Sequence, residues 1–213
     1  MDNAKPLEDV RSNFCGLHLG CGSHRLEGWI NADIEPSAAT CVTFDARRRF
    51  PFPDNAFDAV FSEHMLEHLT FTDGMVALQE CWRVLKPGGR LRISTPDLAF
   101  LIKLYTGPRS PLEDDYLSWA ALEFGGRPPA EVAIFVVNNF VRAWGHLFIY
   151  DEPTLSSSLR KVGFDSIESC QLGQSSHPRF RGVENVGRLP TGYLQLESMS
   201  LEAAKPTGSK EGE

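Results

Sequence analysis

Residues 57–96 read FDAVFSEHMLEHLTFTDGMVALQECWRVLKPGGRLRISTP. FDAVFS is an apolar run of strand length, preceded at 51–55 by the turn-rich PFPDN. Over residues 72–86 the apolar positions Met75, Leu78, Trp82 and Leu85 are spaced 3, 4 and 3, one face of an α-helix. Pro87-Gly88-Gly89 breaks that helix, and RLRISTP supplies the next strand. A strand, a helix and a second strand in this order predict an α/β fold whose strands pair in parallel.

Upstream, FCGLHLG (14–20), WINADI (29–34) and CVTFD (41–45) read as three further strands. Their carboxyl ends, with that of FDAVFS, bring Gly20, Asp33, Asp45 and Ser62 to one edge of the sheet. Open α/β sheets bind ligands at that edge. Downstream, Leu98, Leu101, Ile102 and Tyr105 have helical spacing. Residues 111–124 and 129–144 predict two more helices, interrupted by GGRPP, so 97–150 is read as a helical insertion covering the open edge after strand five. DEPTLSSSLRKVG predicts a helix with Asp151 as N-cap and Gly163 at its stop. FDSIESC is a strand, 171–190 a polar connection containing glycine and arginine, and YLQLESMSLEA the last strand. The expected organisation is a polar segment at 1–13, one domain over 14–204, and a disordered tail at 205–213.

The chain's 213 residues suit one domain. Hydrophobic residues are 42% and charged residues 23%, a globular composition. Lys and Arg number 21 against 28 Asp and Glu, a net charge of -7, which disfavours a nucleic-acid partner that needs a basic excess. No apolar run approaches the roughly 18–20 residues that span a bilayer, and MDNAKPLEDVRSN lacks the pattern of a secretory signal. Five cysteines, with no C-x-x-C pair, argue against a disulfide scaffold or zinc finger. A reducing, cytoplasmic location is expected.

LHLGCG at 17–22 ends a strand in glycines, which lets a ligand approach the backbone. A tight turn needing glycine explains it equally well. Asp33 ends the next strand, where a carboxylate can accept both hydroxyl hydrogens of a ribose. Asp45 ends the third, where a carboxylate can accept from an exocyclic adenine amine while the N–H of Ala46 donates to the ring. Each alone is ordinary. Three in succession form a constellation.

LHLGCGSHRLEGWINADIEP, FDARRRFPFPDNAFDAVFSEHMLEHL, ECWRVLKPGGRLRISTPDL and HLFIYDEPTLSSSLRKVGF resemble class I S-adenosylmethionine-dependent methyltransferases of the type 11 group. The resemblance covers about residues 15–170. It implies a Rossmann-like, doubly wound, mostly parallel sheet of about seven strands. It also implies S-adenosyl-L-methionine as cofactor and methyl transfer to a small-molecule acceptor, with a glycan precursor or secondary metabolite preferred. By the same resemblance Leu19, Gly20, Cys21 and Gly22 pass the methionine end. Asp33 holds the ribose, Ile34 lies against the adenine, Asp45 and Ala46 read its edge, and Ser62 and His64 lie beneath the methyl donor. One departure stands out. Only about ten residues join Gly20 to the strand of Asp33, fewer than a parallel crossover usually takes. The first helix is therefore expected to be shortened or missing. A nicotinamide dinucleotide fits less well, because Arg25 stands where G-x-G-x-x-G needs its third glycine.

Methyl transfer from a sulfonium is an in-line displacement that depends chiefly on alignment. A base is needed where the acceptor must lose a proton. His64, His68 and His146 are the candidates. His146 and Tyr150 lie in WGHLFIYD, where similar segments flank the active-site mouth in related proteins, and Asn138, Asn139 and Trp144 lie in the helical cover, where they could touch substrate. Arg179, Arg181, Arg188 and His177 could attract a phosphate or carboxylate on it, with Arg179 and Arg181 singled out. Arg47, Arg48 and Arg49 read as a solvated face. His64-Met65-Leu66-Glu67-His68 differs at its first position from the E-x-x-E-H motif by which some methyltransferases of this fold bind a divalent ion, and no metal is assigned. Two other functions fit: a non-catalytic S-adenosylmethionine-binding partner, and a nucleic-acid methyltransferase, which the acidic balance disfavours.

Overall fold

The computed structural model of the protein describes residues 14–35, 39, 41–124 and 133–208. The expected polar segment at 1–13, the GGRPP interruption and the end of the tail from 209 lie outside these residues. β1 (Gly16–Leu19), β2 (Trp29–Asp33), β3 (Val42–Thr43), β4 (Phe57–Glu63) and β5 (Leu85–Pro96) pair in parallel in the order β3-β2-β1-β4-β5. β7 (Ser198–Ala204) and β6 (Asp165–Cys170) extend the sheet beyond β5 with antiparallel pairing. The architecture is the Rossmann-like, mostly parallel seven-stranded sheet.

α1 (Phe71–Val84) starts where Thr70 accepts a hydrogen bond from the Asp73 N–H, satisfying an orphan donor. It stops three residues before Pro87, which cannot continue a helix. Lys205 then closes its end. Its amine donates to the carbonyls of Trp82 and Leu85 and to Asn55 Oδ1, each at 2.8 Å, and lies 4.0 Å over the Trp82 ring. Lys205 is buried, so the tail expected from 205 begins with an anchored residue. α5 (Glu152–Val162) has the expected ends. Asp151 accepts from the Thr154 N–H, and Gly163 at φ +113° lets its own N–H and that of Phe164 return to the last carbonyls. α1 and α5 pack together on one sheet face, where Leu17, Val60, Leu78, Leu91, Leu159 and Leu201 are buried in one cluster.

The opposite face carries Ala59 and Phe61. It is covered by Phe180 and Val183 of the connection after β6. His18 shares this face, fully buried beside Phe61 with its Nδ1 3.2 Å from Asn31 Oδ1. Burial lowers the His18 pKa from 6.5 to about 4, against a smaller opposing effect of Asn31. Between those values the unfolded chain binds a proton that the folded chain refuses, so stability falls as pH falls. The expected loss from pH 6.5 to pH 4 is about 3 kcal/mol from this residue. His18→Phe should flatten denaturant-measured stability against pH over that window. A slope equal to that of the wild type would refute the assignment.

α2 (Leu98–Thr106), α3 (Pro111–Phe124) and α4 (Ala133–Arg142) follow β5 and form a second cluster around Leu101, Leu104, Tyr116 and Phe140. One segment differs from its sequence reading. YLQLESMSLEA is not one strand, because Tyr193–Glu197 is the short helix α6 and the strand begins at Ser198. Tyr193 and Leu194 are both buried, and the helical turn packs Tyr193 into the α2–α4 cluster.

Candidate active site

Nine residues, 20–28, join β1 to β2, and no helix forms among them. Side chains and the exposed end of β2 do the work of a crossover helix. The N–H groups of Gly20 and Cys21 both donate to Ala32 O, at 2.8 and 3.0 Å, and the Gly22 N–H donates to Asp33 Oδ2 at 2.8 Å. Asn31 Oδ1 accepts from the Leu26 N–H, while its amide donates to the carbonyls of Leu26 and Trp29. Gly20 has φ +72°, and a Cβ there would lie 2.4 Å from the Met65 side chain, so both backbone and space demand glycine.

This loop walls a cavity of about 470 Å³ at the carboxyl edge of the sheet, lined by Leu19, Gly20, Gly22, Asp33, Ile34, Phe44, Asp45, Ala46, Arg47, His64, Met65, His68 and Leu69. Eight residues named from the sequence for the cofactor (Leu19, Gly20, Gly22, Asp33, Ile34, Asp45, Ala46 and His64) converge there. Two do not line it. The Cys21 thiol turns inward to 3.6 Å from Cys41 Sγ, and burial with that neighbour pushes it up to about 12. Ser62 is buried in β4 with no hydrogen-bond partner for its Oγ among the described residues. Asp33 Oδ1 also accepts from the Glu35 N–H at 3.0 Å, so both its oxygens are oriented by backbone donors. Asp45 is engaged differently from its sequence reading. Arg47 grips it through Nε and Nη2, each at 2.9 Å, and this contact holds its carboxyl below the usual range. Arg47 therefore belongs to the cavity wall, while Arg48 and Arg49 are solvated.

A second cavity of about 310 Å³ adjoins the first. It is lined by His64, Glu67, His68, Pro96, Trp119, Phe140, Trp144, His146, Arg188, Leu189 and Glu197. The two cavities share His64 and His68. His64 is held in the left-handed region at φ +48°, and the motif continues as a single 3-10 turn over Leu66–His68 instead of an α-helix. The His64 Nε2 lies 2.9 Å from Ser198 Oγ, and its Nδ1 lies 3.0 Å from Glu67 Oε1. Glu67 is fully buried, and Thr95 Oγ1 donates to its Oε2 at 3.1 Å. Burial is the largest influence and opposes its ionisation, but His64 beside it, the Glu67 backbone and His68 together hold the carboxyl below its ordinary value. The Glu67 carbonyl accepts the N–H groups of Leu147 and Phe148, which brings His146 to the cluster from far along the chain. His146 Nδ1 donates to Phe140 O at 2.6 Å, leaving Nε2 with its lone pair, and burial lowers the ring's pKa. Glu67, His68 and His146 offer donor atoms within 4.8 Å of one another, close enough for a shared ion where the sequence assigns no metal.

The acceptor residues named from the sequence divide. Trp144 lines the second cavity; Asn139 and Tyr150 do not. Tyr150 is buried against Phe148 and Gly74, and burial pushes its phenol up to about 12. Arg179 lies 4.3 Å over the Phe14 ring, and Arg181 Nε donates to Ser175 O, both away from the cavities. The arginine of that connection that does reach the cavity is Arg188, and Glu67, Trp119 and Glu197 line it too. The basic character of 171–190 includes Arg188, but Arg179 and Arg181 are the two singled out from it.

The comparisons agree with this geometry. Residues 17–93 match the family model described as a methyltransferase domain. The chain is 32% identical over 183 residues to a demethylmenaquinone methyltransferase of Clavibacter sepedonicus, covering 84% of this chain and 65% of that protein. It is 34% identical over 169 residues to the ubiquinone/menaquinone biosynthesis C-methyltransferase UbiE of Francisella tularensis subsp. holarctica, covering 76% and 57%. The chain thus spans less than two thirds of the length of these relatives. Its fold is that of a SAM-dependent methyltransferase from Archaeoglobus fulgidus, with TM-score 0.52, 18% identity, and 90% and 86% coverage. The glycine loop, the acid-tipped strands and these relatives together place the chain in the class I S-adenosylmethionine-dependent methyltransferase family.

Proposed function

We propose that this chain transfers a methyl group from S-adenosylmethionine to a small, planar, hydroxylated acceptor. The observation that carries the reading is the pair of adjoining cavities that share His64 and His68. The larger takes the cofactor, with Asp33 accepting from the ribose hydroxyls and the loop at Gly20–Gly22 against the methionine end. The smaller takes the acceptor, between Trp119, Phe140, Trp144 and Leu189. An open second cavity also favours an enzyme over a non-catalytic cofactor-binding partner. The flat aromatic walls favour a ring, and the relatives named for quinone biosynthesis support one. Among the described residues no helix is long and apolar enough to cross a membrane.

In this reading the acceptor hydroxyl gives its proton to His64 Nε2, the atom now facing Ser198. Glu67 beside Nδ1 favours the tautomer that leaves Nε2 basic. The oxygen, or a ring carbon that its negative charge activates, then attacks the methyl carbon. The carbon–sulfur bond breaks, and the sulfonium leaves as the neutral thioether of S-adenosylhomocysteine. Alignment across the junction supplies much of the acceleration.

His64→Asn tests the base, because asparagine tolerates the positive φ at this position. S-adenosylhomocysteine release with hydroxylated aromatic acceptors should fall by about 10²–10⁴ in kcat, while calorimetry still detects cofactor binding. A kcat within tenfold of the wild type would remove His64 from the chemistry. Failure of the wild type to bind either the cofactor or its demethylated product would remove the reading itself.

A further inference from the structure

Arg188 occupies a wall of the smaller cavity with Leu189, Trp119 and Trp144 nearby. Its backbone is fixed from both sides. Before it, the Asn185 N–H donates to the Glu63 carboxylate, and Glu184 is ion-paired to buried Arg92 at 2.6 Å. After it, the Tyr193 ring packs at a tilt 5.1 Å from Trp119, and its hydroxyl donates to Asp115. Its guanidinium, in contrast, makes no ion pair with any carboxylate among the described residues. Two acids also line this cavity, and both are engaged elsewhere. Glu67 meets His64 and Thr95. Tyr116 donates to Glu197 Oε2 at 2.7 Å, and burial pushes the Glu197 carboxyl up toward its neutral form. A guanidinium carried on a fixed backbone beside aromatic side chains, with no ion pair to a carboxylate among the described residues, is a recognition element for a planar anion, because its fork of donors matches two oxygens at once.

We propose that Arg188 is an anion-recognition residue and that the acceptor carries a carboxylate on its ring. The inference rests on the methyl-transfer reading for the word acceptor, but the binding of the anion does not depend on it. In a chain of net charge -7 an anionic acceptor is repelled overall, so a positive group at the cavity has to select it locally.

The test is calorimetric binding of 4-hydroxybenzoate, 4-hydroxybenzamide and 4-hydroxyphenyl phosphate to the wild type and to Arg188→Met, each with and without S-adenosylhomocysteine. Arg188 is exposed, so the substitution disturbs no buried contact. The acid should bind the wild type at least about tenfold more tightly than the amide, as expected for a charge-assisted bidentate pair. That preference should vanish in Arg188→Met and persist in part in Arg188→Lys. Equal binding of acid and amide to the wild type overturns the proposal, and so does a preference that survives in Arg188→Met. Preference for the phosphate over the acid overturns the carboxylate while keeping the anion. If S-adenosylhomocysteine fails to bind but the acid is still preferred through Arg188, the methyl-transfer reading fails and the anion subsite stands.

Discussion

Replacing Asp33 with alanine is expected to weaken S-adenosylmethionine binding by about ten- to a hundredfold or more, equivalent to roughly 1.5–3 kcal/mol for a set of hydrogen bonds to a charged acceptor. Two causes act together. The carboxylate offers the ribose hydroxyls an acceptor at the tip of β2, and it latches the glycine loop through the Gly22 N–H. A conventional crossover helix would hold that loop without help. Here Ala32 O, Asp33 and the side chain of Asn31 hold the loop to β2, and the His24 ring ties it to Val183 O at 3.0 Å. The two causes can be separated with a cofactor that lacks the ribose 2′-hydroxyl. If Asp33 binds the ribose, deleting that hydroxyl weakens binding to the wild type and has little further effect on Asp33→Ala. If Asp33 is only a latch, the hydroxyl deletion costs the same in both proteins. Calorimetry on the four combinations decides. A fall below threefold in Asp33→Ala with the normal cofactor would remove Asp33 from the site altogether.

The cofactor side of the site was legible in the sequence for a physical reason. A polar residue at or just beyond the end of a short strand-like run marks the carboxyl edge, as Asp33 does at the end of β2 and Asp45 does two residues past β3, which is shorter than the CVTFD run suggested. Glycines at a strand's end mark a close backbone approach, and Gly20 proves to need both its positive φ and its missing Cβ. The short crossover was legible by counting residues. What replaces the helix was not, because Asn31 looks like any polar strand residue until its amide is seen closing the turn at Leu26–Trp29.

The acceptor side was less legible because it is assembled from remote segments. Nothing local to Glu67 announces that its carbonyl clamps Leu147 and Phe148 and so delivers His146. Arg188 sits at the end of a 3-10 turn in an irregular connection, where no periodicity says which arginine turns inward. Arg179 and Arg181 share its chemistry but not its place. The misread strand at Tyr193–Glu197 has the same origin. Its alternating YLQLE pattern fits a strand, but contact with the α2–α4 cluster decides otherwise.

Arg92→Ala is expected to destabilise the fold by about 3–5 kcal/mol, the cost of leaving buried charges without their partner. For a chain of this size that lowers the melting temperature by roughly 6–20 °C. Arg92, on β5, stands opposite Glu202 on β7 and reaches it at 2.5 Å, while its Nε meets Glu184 at 2.6 Å. All three side chains are fully buried. The guanidinium also donates to the carbonyls of Gln171 and Gln174, and Glu184 accepts from Ser94 Oγ and the Gly173 N–H. Arg92 thus fastens the connection after β6 to the sheet from both ends. Alanine leaves buried Glu184 without its cation and Glu202 with Arg90 alone, at 3.4 Å. Arg92→Met combined with Glu184→Gln and Glu202→Gln removes the charges together and should recover most of the loss. Denaturant unfolding of both variants separates charge from packing. A loss under 1 kcal/mol for Arg92→Ala would mean that water reaches the carboxylates. The same connection positions Arg188, so the tether has a second consequence. The triple variant should hold its stability yet bind 4-hydroxybenzoate more weakly, because neutral side chains cannot fix the turn at Val186–Arg188 as firmly as the ion-paired network does.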